Sequence, residues 1–205
     1  MPRKKLIYTS DYPYHVMSRS NNKEWFYISQ VDMWRIFNQQ LQKMIQTHGL
    51  LVHAYVLMSN HYHMVVSVSE ASNLGVVMRD FQRNIAKIIN KKTGRVNHVF
   101  GGPYKACLIT TCDDYARVLK YVYRNPVEAR VTEFSQDYSF SSLTDPLTPL
   151  CSPASGIASK VPNRNCFDWL AAEEGEQYNF ETMKGLMKTK FKESKRSECC
   201  KVAQK

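Results

Sequence analysis

Two β-rich runs, residues 50–58 and 61–68, are separated by only Ser59-Asn60. So short a connection leaves no room for a crossover, and the two strands must lie antiparallel as a hairpin. Helical patterns bracket this hairpin on both sides. Upstream, Ser29 is placed to cap a first turn that Asp32 completes, and Trp34, Phe37, Leu41, Met44 and Ile45 recur at helical spacing up to a stop at Gly49. Downstream, Ser72 or Asn73 caps a helix whose apolar stripe is Leu74, Val77, Phe81, Ile85 and Ile88, ended by Gly94.

The flanks complete the pattern. Residues 14–20 read as a strand running into a turn at Asn21-Asn22, and residues 104–110 as another strand. Thr111, with Asp114 three residues on, opens a last helix carrying Tyr115, Val118, Leu119 and Val122. Pro126 lacks the amide a helix needs, so that helix is expected to end at Asn125. The order β-α-β-β-α-β-α predicts an α+β domain of the ferredoxin-like (split βαβ) type. It has a four-stranded antiparallel sheet, helices on one face, and an additional C-terminal helix.

The pattern stops near residue 145. Residues 146–165 are rich in Ser, Pro and small side chains and read as a linker, while residues 188–205 carry seven Lys and Arg against two Glu. We therefore expect one folded domain over 1–145 and a linker with a basic, partly helical or disordered tail over 146–205. No apolar run approaches the roughly 20 residues that span a bilayer, and the Met-Pro-Arg-Lys-Lys start is followed by no apolar segment of the secretory type. The six cysteines (Cys107, Cys112, Cys151, Cys166, Cys199, Cys200) form no CxxC pair, which suits neither a disulfide framework nor a zinc site. A cytoplasmic protein without membrane attachment is expected. The net charge of +10 points to a polyanionic partner, because cations that neutralise phosphates release counterions.

His61 and His63 lie two apart on the second hairpin strand, so both side chains face one way. Two imidazoles on one face can share a divalent ion and leave positions open for a phosphate oxygen; by itself the pair also fits two structural or solvated histidines. Tyr121 and Asn125 stand one helical turn apart, phenol and carboxamide on the same side. A carboxamide oxygen suits Mg²⁺ or Mn²⁺, and a phenol can attack a polarised phosphorus. The same two residues also fit a core aromatic and a helix C-cap. Tyr115 and Tyr123 are poorer nucleophile candidates: the first lies more than a turn earlier, roughly 9 Å along the axis, and the second points to another side of the helix.

Two basic features complete the inventory. Arg79, Arg83, Lys87 and Lys91 recur every fourth residue opposite the apolar stripe, a ridge about 18 Å long that suits a phosphate backbone or a plain solvated face. Arg3, Lys4 and Lys5 look like an arm able to clasp a single strand.

Three blocks, Tyr14-His-Val-Met-Ser-Arg, Val56-Leu-Met-Ser-Asn-His-Tyr-His-Met-Val-Val and Tyr121-Val-Tyr-Arg-Asn-Pro-Val-Glu-Ala, resemble the single-tyrosine HUH transposases, and most closely their REP-associated branch. The resemblance spans roughly residues 8 to 145. It implies an HUH nuclease domain in which His61 and His63 are the metal-binding pair, Asn125 completes the site, and Tyr121 is the nucleophile. It also implies a divalent metal cofactor, Mg²⁺ or Mn²⁺, and substrates that are single-stranded DNA hairpins from repetitive extragenic palindromes in a bacterial nucleoid. Cleavage and strand transfer would pass through a 5′-phosphotyrosine, in a monomer or a homodimer. Two other readings remain: a catalytically silent nucleic-acid-binding module on the same sheet, and a related HUH replication initiator or relaxase. The last is disfavoured by the chain's small size and single well-placed tyrosine.

Overall fold

The computed structural model describes residues 7–145; the expected basic arm at Arg3, Lys4 and Lys5 and the expected tail over 146–205 lie outside them. The elements are β1 (Tyr14–Arg19), α1 (Gln30–His48), β2 (Leu51–Leu57), β3 (His61–Ser67), α2 (Leu74–Thr93), β4 (Lys105–Leu108) and α3 (Cys112–Glu128). The four strands form one antiparallel sheet in the order β2-β3-β1-β4, which is the ferredoxin-like topology expected.

Local signals set the helix ends. The Ser29 hydroxyl accepts from the Asp32 amide at 3.1 Å, and Gly49 closes α1 in the left-handed region at φ +62°, where glycine alone avoids a Cβ penalty. Asn73, of the two candidates, caps α2 through the Gly75 amide at 2.7 Å, and Gly94 ends it at φ +68°. Thr111 caps α3 through the Asp114 amide at 3.1 Å.

Three expectations need correction. The last strand is shorter, Lys105–Leu108 rather than 104–110, because only that stretch finds partners on β1. In α2 the core residues are Leu74, Val77, Met78, Phe81, Ile85 and Ile89, with Ile88 only partly buried; the stripe drifts across the helix face because 3.6 residues per turn does not divide the spacing evenly. Finally, α3 does not stop before Pro126 but runs to Glu128. The missing proline amide costs one ladder bond, and the turn is closed beyond it by the Ala129 amide on the Asn125 carbonyl (3.0 Å) and the Val131 amide on the Pro126 carbonyl (2.9 Å).

The sheet separates two cores. One face, with Tyr14, Val16, Tyr62, Met64 and Val66, packs against Phe37, Leu41, Phe81 and Ile85 of α1 and α2. The other, with Ala54, Val56 and Val65, packs against Tyr115, Val118, Leu119 and Val122 of α3. The additional helix thus covers the face opposite the first two. A bulge between Val52 and Ala54 reverses the alternation of β2: Val52 lies with the α1–α2 core, whereas Ala54 lies under α3. The open edge of β2 is covered by the segment after α3. The Leu57 amide donates to the Phe140 carbonyl (2.9 Å), and the Ser142 amide to the Tyr55 carbonyl (2.9 Å).

Candidate active site

Alternation along β3 buries Tyr62 and Met64 in the α1–α2 core and turns His61 and His63 to the α3 side. There they meet the two residues expected from α3. The Tyr121 ring stands edge-on to His63, centroids 5.2 Å apart at 85°, and Asn125 Oδ1 lies 3.3 Å from His61 Nε2. All four expected residues therefore converge, and Tyr121 stands over the histidines of its own chain. The rivals do not join them: the Tyr115 hydroxyl bonds to His53 Nδ1 at 3.0 Å, and the Tyr123 hydroxyl lies 3.4 Å from Ser142 Oγ.

Three further residues complete the site, none of them singled out in the sequence. His15, on the facing strand β1, brings Nε2 within 3.0 Å of His63 Nδ1, with the two rings stacked at 5.2 Å. It also meets the Tyr121 ring edge-on at 5.5 Å. Asn60, in the hairpin turn, accepts from His61 Nδ1 at 2.7 Å and donates through Nδ2 to the Lys23 carbonyl at 2.7 Å. Arg19 pairs in register with His61 across β1 and β3 and is exposed. The alternation His15, Met17, Arg19 shows that these share a face; only the strand register shows that it is the face of His61 and His63.

Electrostatics follow from burial. His61 and His15 are both pushed down to about 4 by desolvation, and His63 is held well below the usual imidazole value by burial and by its histidine neighbours. At neutral pH the three are uncharged imidazoles, the form that binds metal. Burial raises the Tyr121 phenol, opposed by the Asn125 carboxamide and the Arg19 charge.

The residues fit a divalent metal. With Nδ1–H of His61 donating to Asn60, its Nε2 presents a lone pair toward the Asn125 carboxamide oxygen, two acceptors 3.3 Å apart. When His63 Nδ1–H donates to His15, its Nε2 is likewise left with a lone pair. Two imidazole nitrogens and one carboxamide oxygen make a mixed donor set whose chemistry suits Mg²⁺ or Mn²⁺ and would leave positions for phosphate oxygens. Among the described residues no group of three His, Cys, Asp or Glu is arranged to hold a metal ion; His15 is turned to His63 Nδ1, and the donor next to the His61 Nε2 lone pair is the Asn125 carboxamide oxygen.

Arg79, Arg83, Lys87 and Lys91 are exposed, as expected, with Arg79 paired to Asp80 at 3.5 Å. They sit on α2, across the sheet from Tyr121, so the ridge and the site face different ways. No helix among the described residues is long and apolar enough to cross a membrane.

A ferredoxin-like sheet with a His-x-His pair on a central strand and a helix-borne tyrosine above it is the layout of the HUH class that the sequence resembles. The family follows from comparison. The model of the family described as "Transposase IS200 like" matches residues 8–125, more than half of the chain, and the chain belongs to that family. Among solved structures, a REP-associated tyrosine transposase bound to a REP hairpin is similar in fold, with a TM-score of 0.59 and 17% identity over 69% of this chain and 82% of the other. A Deinococcus radiodurans R1 protein provisionally described as a transposase aligns over 64% of this chain and 94% of its own, at 9% identity and a TM-score of 0.41. No curated protein matches the chain.

Proposed function

We propose that this transposase-family protein cleaves single-stranded DNA beside a hairpin and rejoins it, using Tyr121 as nucleophile. The observation that carries the reading is the meeting of Tyr121 and Asn125 on α3 with His61 and His63 on β3. Tyr121 Oη forms a bond to the scissile phosphorus, the bond from phosphorus to the 3′-oxygen breaks, and the 5′-phosphate stays on the tyrosine. The phenol releases its proton and the departing 3′-oxygen gains one. Attack by a 3′-hydroxyl of another strand reverses the step, and no external energy source is needed because the ester link is conserved. His61, His63 and Asn125 would hold a divalent metal, which when bound supplies charge withdrawal from the phosphate. His15 and Asn60 orient the two imidazoles, and Arg19 adds positive charge beside the phenol.

The hairpin substrate is supported by the fold neighbour, itself bound to a REP hairpin, and by the net charge of +10. The test is a gel assay on labelled single-stranded hairpins with flanks, comparing wild type and Tyr121→Phe in Mg²⁺, Mn²⁺ and EDTA. A metal-dependent protein–DNA adduct that disappears in Tyr121→Phe is the expected result; an adduct that persists in the variant assigns the nucleophile elsewhere. The second reading, a silent binding module, draws on one observation. Tyr121 is only 3% exposed, so little of its phenol is open to an incoming phosphate. Hairpin binding without any adduct would favour that reading.

A further inference from the structure

We propose that the groove between the end of β1, the turn Asn21–Lys23 and the loop 101–103 holds the sugar-phosphate backbone of the single strand adjoining the cleavage point. The inference rests on reading the chain as a single-strand-cleaving transposase and assigns a place to the strand beside the scissile phosphate.

The groove measures about 530 Å³, within the range of sites that enclose small ligands. Arg19, Lys23 and Lys105 line it, with no acidic side chain among the lining residues. None of the three takes part in an ion pair among the described residues. Like charges gathered without counterions repel one another, and a polyanion relieves that repulsion. The far wall is bare backbone. Gly102 sits at φ +136° with nothing within 4 Å of where a Cβ would stand, and a Cβ on Gly101 would meet the Ser20 carbonyl at 3.1 Å. A ligand can approach the main chain there as it cannot approach a side-chain-bearing loop.

Position distinguishes this groove from the rest of the basic surface. Across the sheet Met17 pairs with His63 and with Lys105, and Arg19 pairs with His61. These lining side chains therefore project from the same face as the histidines, the face that α3 covers, and the groove opens beside the candidate site. The arginine–lysine ridge of α2 lies on the other face. One side chain ties the groove wall to the site: Asn60 donates to the Lys23 carbonyl and accepts from His61, both at 2.7 Å. Two residues beyond Lys23, Trp25 is 74% exposed, an indole face on which an unpaired base can stack. Cations along a backbone path and an exposed aromatic close by in the chain are the usual chemistry of single-strand binding.

The test measures binding of fluorescent hairpins with and without a single-stranded flank over a salt series, using the full chain. Wild type is compared with the triple variant Arg19→Gln/Lys23→Gln/Lys105→Gln. The flank is expected to tighten wild-type binding, and the triple variant to lose that gain. The slope of log K against log salt should fall by about 2, at about 0.7 per phosphate contact. On the ridge, Arg79→Gln/Arg83→Gln/Lys87→Gln should leave the flank's contribution in place. Thermal midpoints check folding, and Lys105→Gln alone, expected to remove about a third of the slope change, replaces the triple variant if that one fails to fold. A wild type indifferent to the flank, a groove variant that keeps the wild-type gain and slope, or an equal loss in the ridge variant would each overturn the assignment. A groove-dependent flank effect without any Tyr121-linked product would instead refute the cleavage reading and leave the groove standing.

Discussion

Acid should unfold this domain through its buried histidines, and His53 allows the effect to be isolated. His53 stands at the β2 bulge, apart from His61, His63 and Asn125, with Nε2 2.8 Å from Ser67 Oγ and Nδ1 3.0 Å from the Tyr115 hydroxyl. Desolvation lowers its pKa from 6.5 to about 4. Above pH 6.5 neither the folded nor the unfolded chain binds this proton, and the fold is at full strength. As pH falls below 6.5 the unfolded chain takes up a proton that the folded one refuses. Stability then drops by about 1.4 kcal/mol per pH unit until the folded His53 titrates. At about pH 5 the loss from this one group is about 2 kcal/mol, and it levels off at about 3 kcal/mol below pH 4. That is a substantial share of a typical domain stability of about 5–15 kcal/mol.

His53→Gln removes the proton site and keeps a polar side chain. Urea unfolding, followed by circular dichroism near pH 7.5 and near pH 5, gives the stability of both proteins. The variant is expected to be the less stable at the higher pH, because its hydrogen bonds are reshaped, and to regain about 2 kcal/mol relative to wild type at the lower one. His15 and His61, also lowered to about 4, steepen the acid loss of both proteins and cancel in the comparison. A stability difference that stays constant from pH 7.5 to 5 would refute the reasoning, since the folded His53 would then carry its proton as readily as the unfolded one.

Other expectations follow from the same geometry. Asn60→Ala frees the His61 ring from its turn and should weaken divalent-metal binding about 10- to 100-fold by calorimetry, while the thermal midpoint moves little; an unchanged affinity would show that His61 needs no such anchor. Tyr121→Phe should keep the fold and lose the covalent DNA adduct, as read by gel shift under denaturing conditions. Gly49→Ala and Gly94→Ala both force a Cβ into a left-handed cap and should cost about 1 kcal/mol each. Gly49→Ala should be the worse in urea unfolding, because its new methyl meets Ser69 Oγ at 3.2 Å whereas that of Gly94→Ala meets nothing within 4 Å. Phe37→Ala, which removes a ring packed on Tyr55, Tyr62 and Phe81, should cost about 3–5 kcal/mol.

What the chain's sequence determined by itself was whatever depends on near neighbours. Ser29, Asn73 and Thr111 cap helices through amides two or three residues on, Gly49 and Gly94 end them, and alternation alone puts His61 and His63 on one side of a strand. The i and i+4 spacing of Tyr121 and Asn125 needs nothing but a helix, and that helix survived Pro126 because the turn closed beyond it. Tertiary structure decided the rest. A two-residue period says that His15 and Arg19 share a face but not which strand lies opposite; the β1–β3 register makes that choice and brings His15 to His63. The bulge at His53 reverses the alternation of β2 at a point where no local signal marks it. The side of the sheet that α3 covers follows from chain connection and apolar burial over the whole domain. The site's four expected residues could be read one motif at a time, whereas the partners that orient them, and the cationic groove beside them, exist only once distant strands are paired.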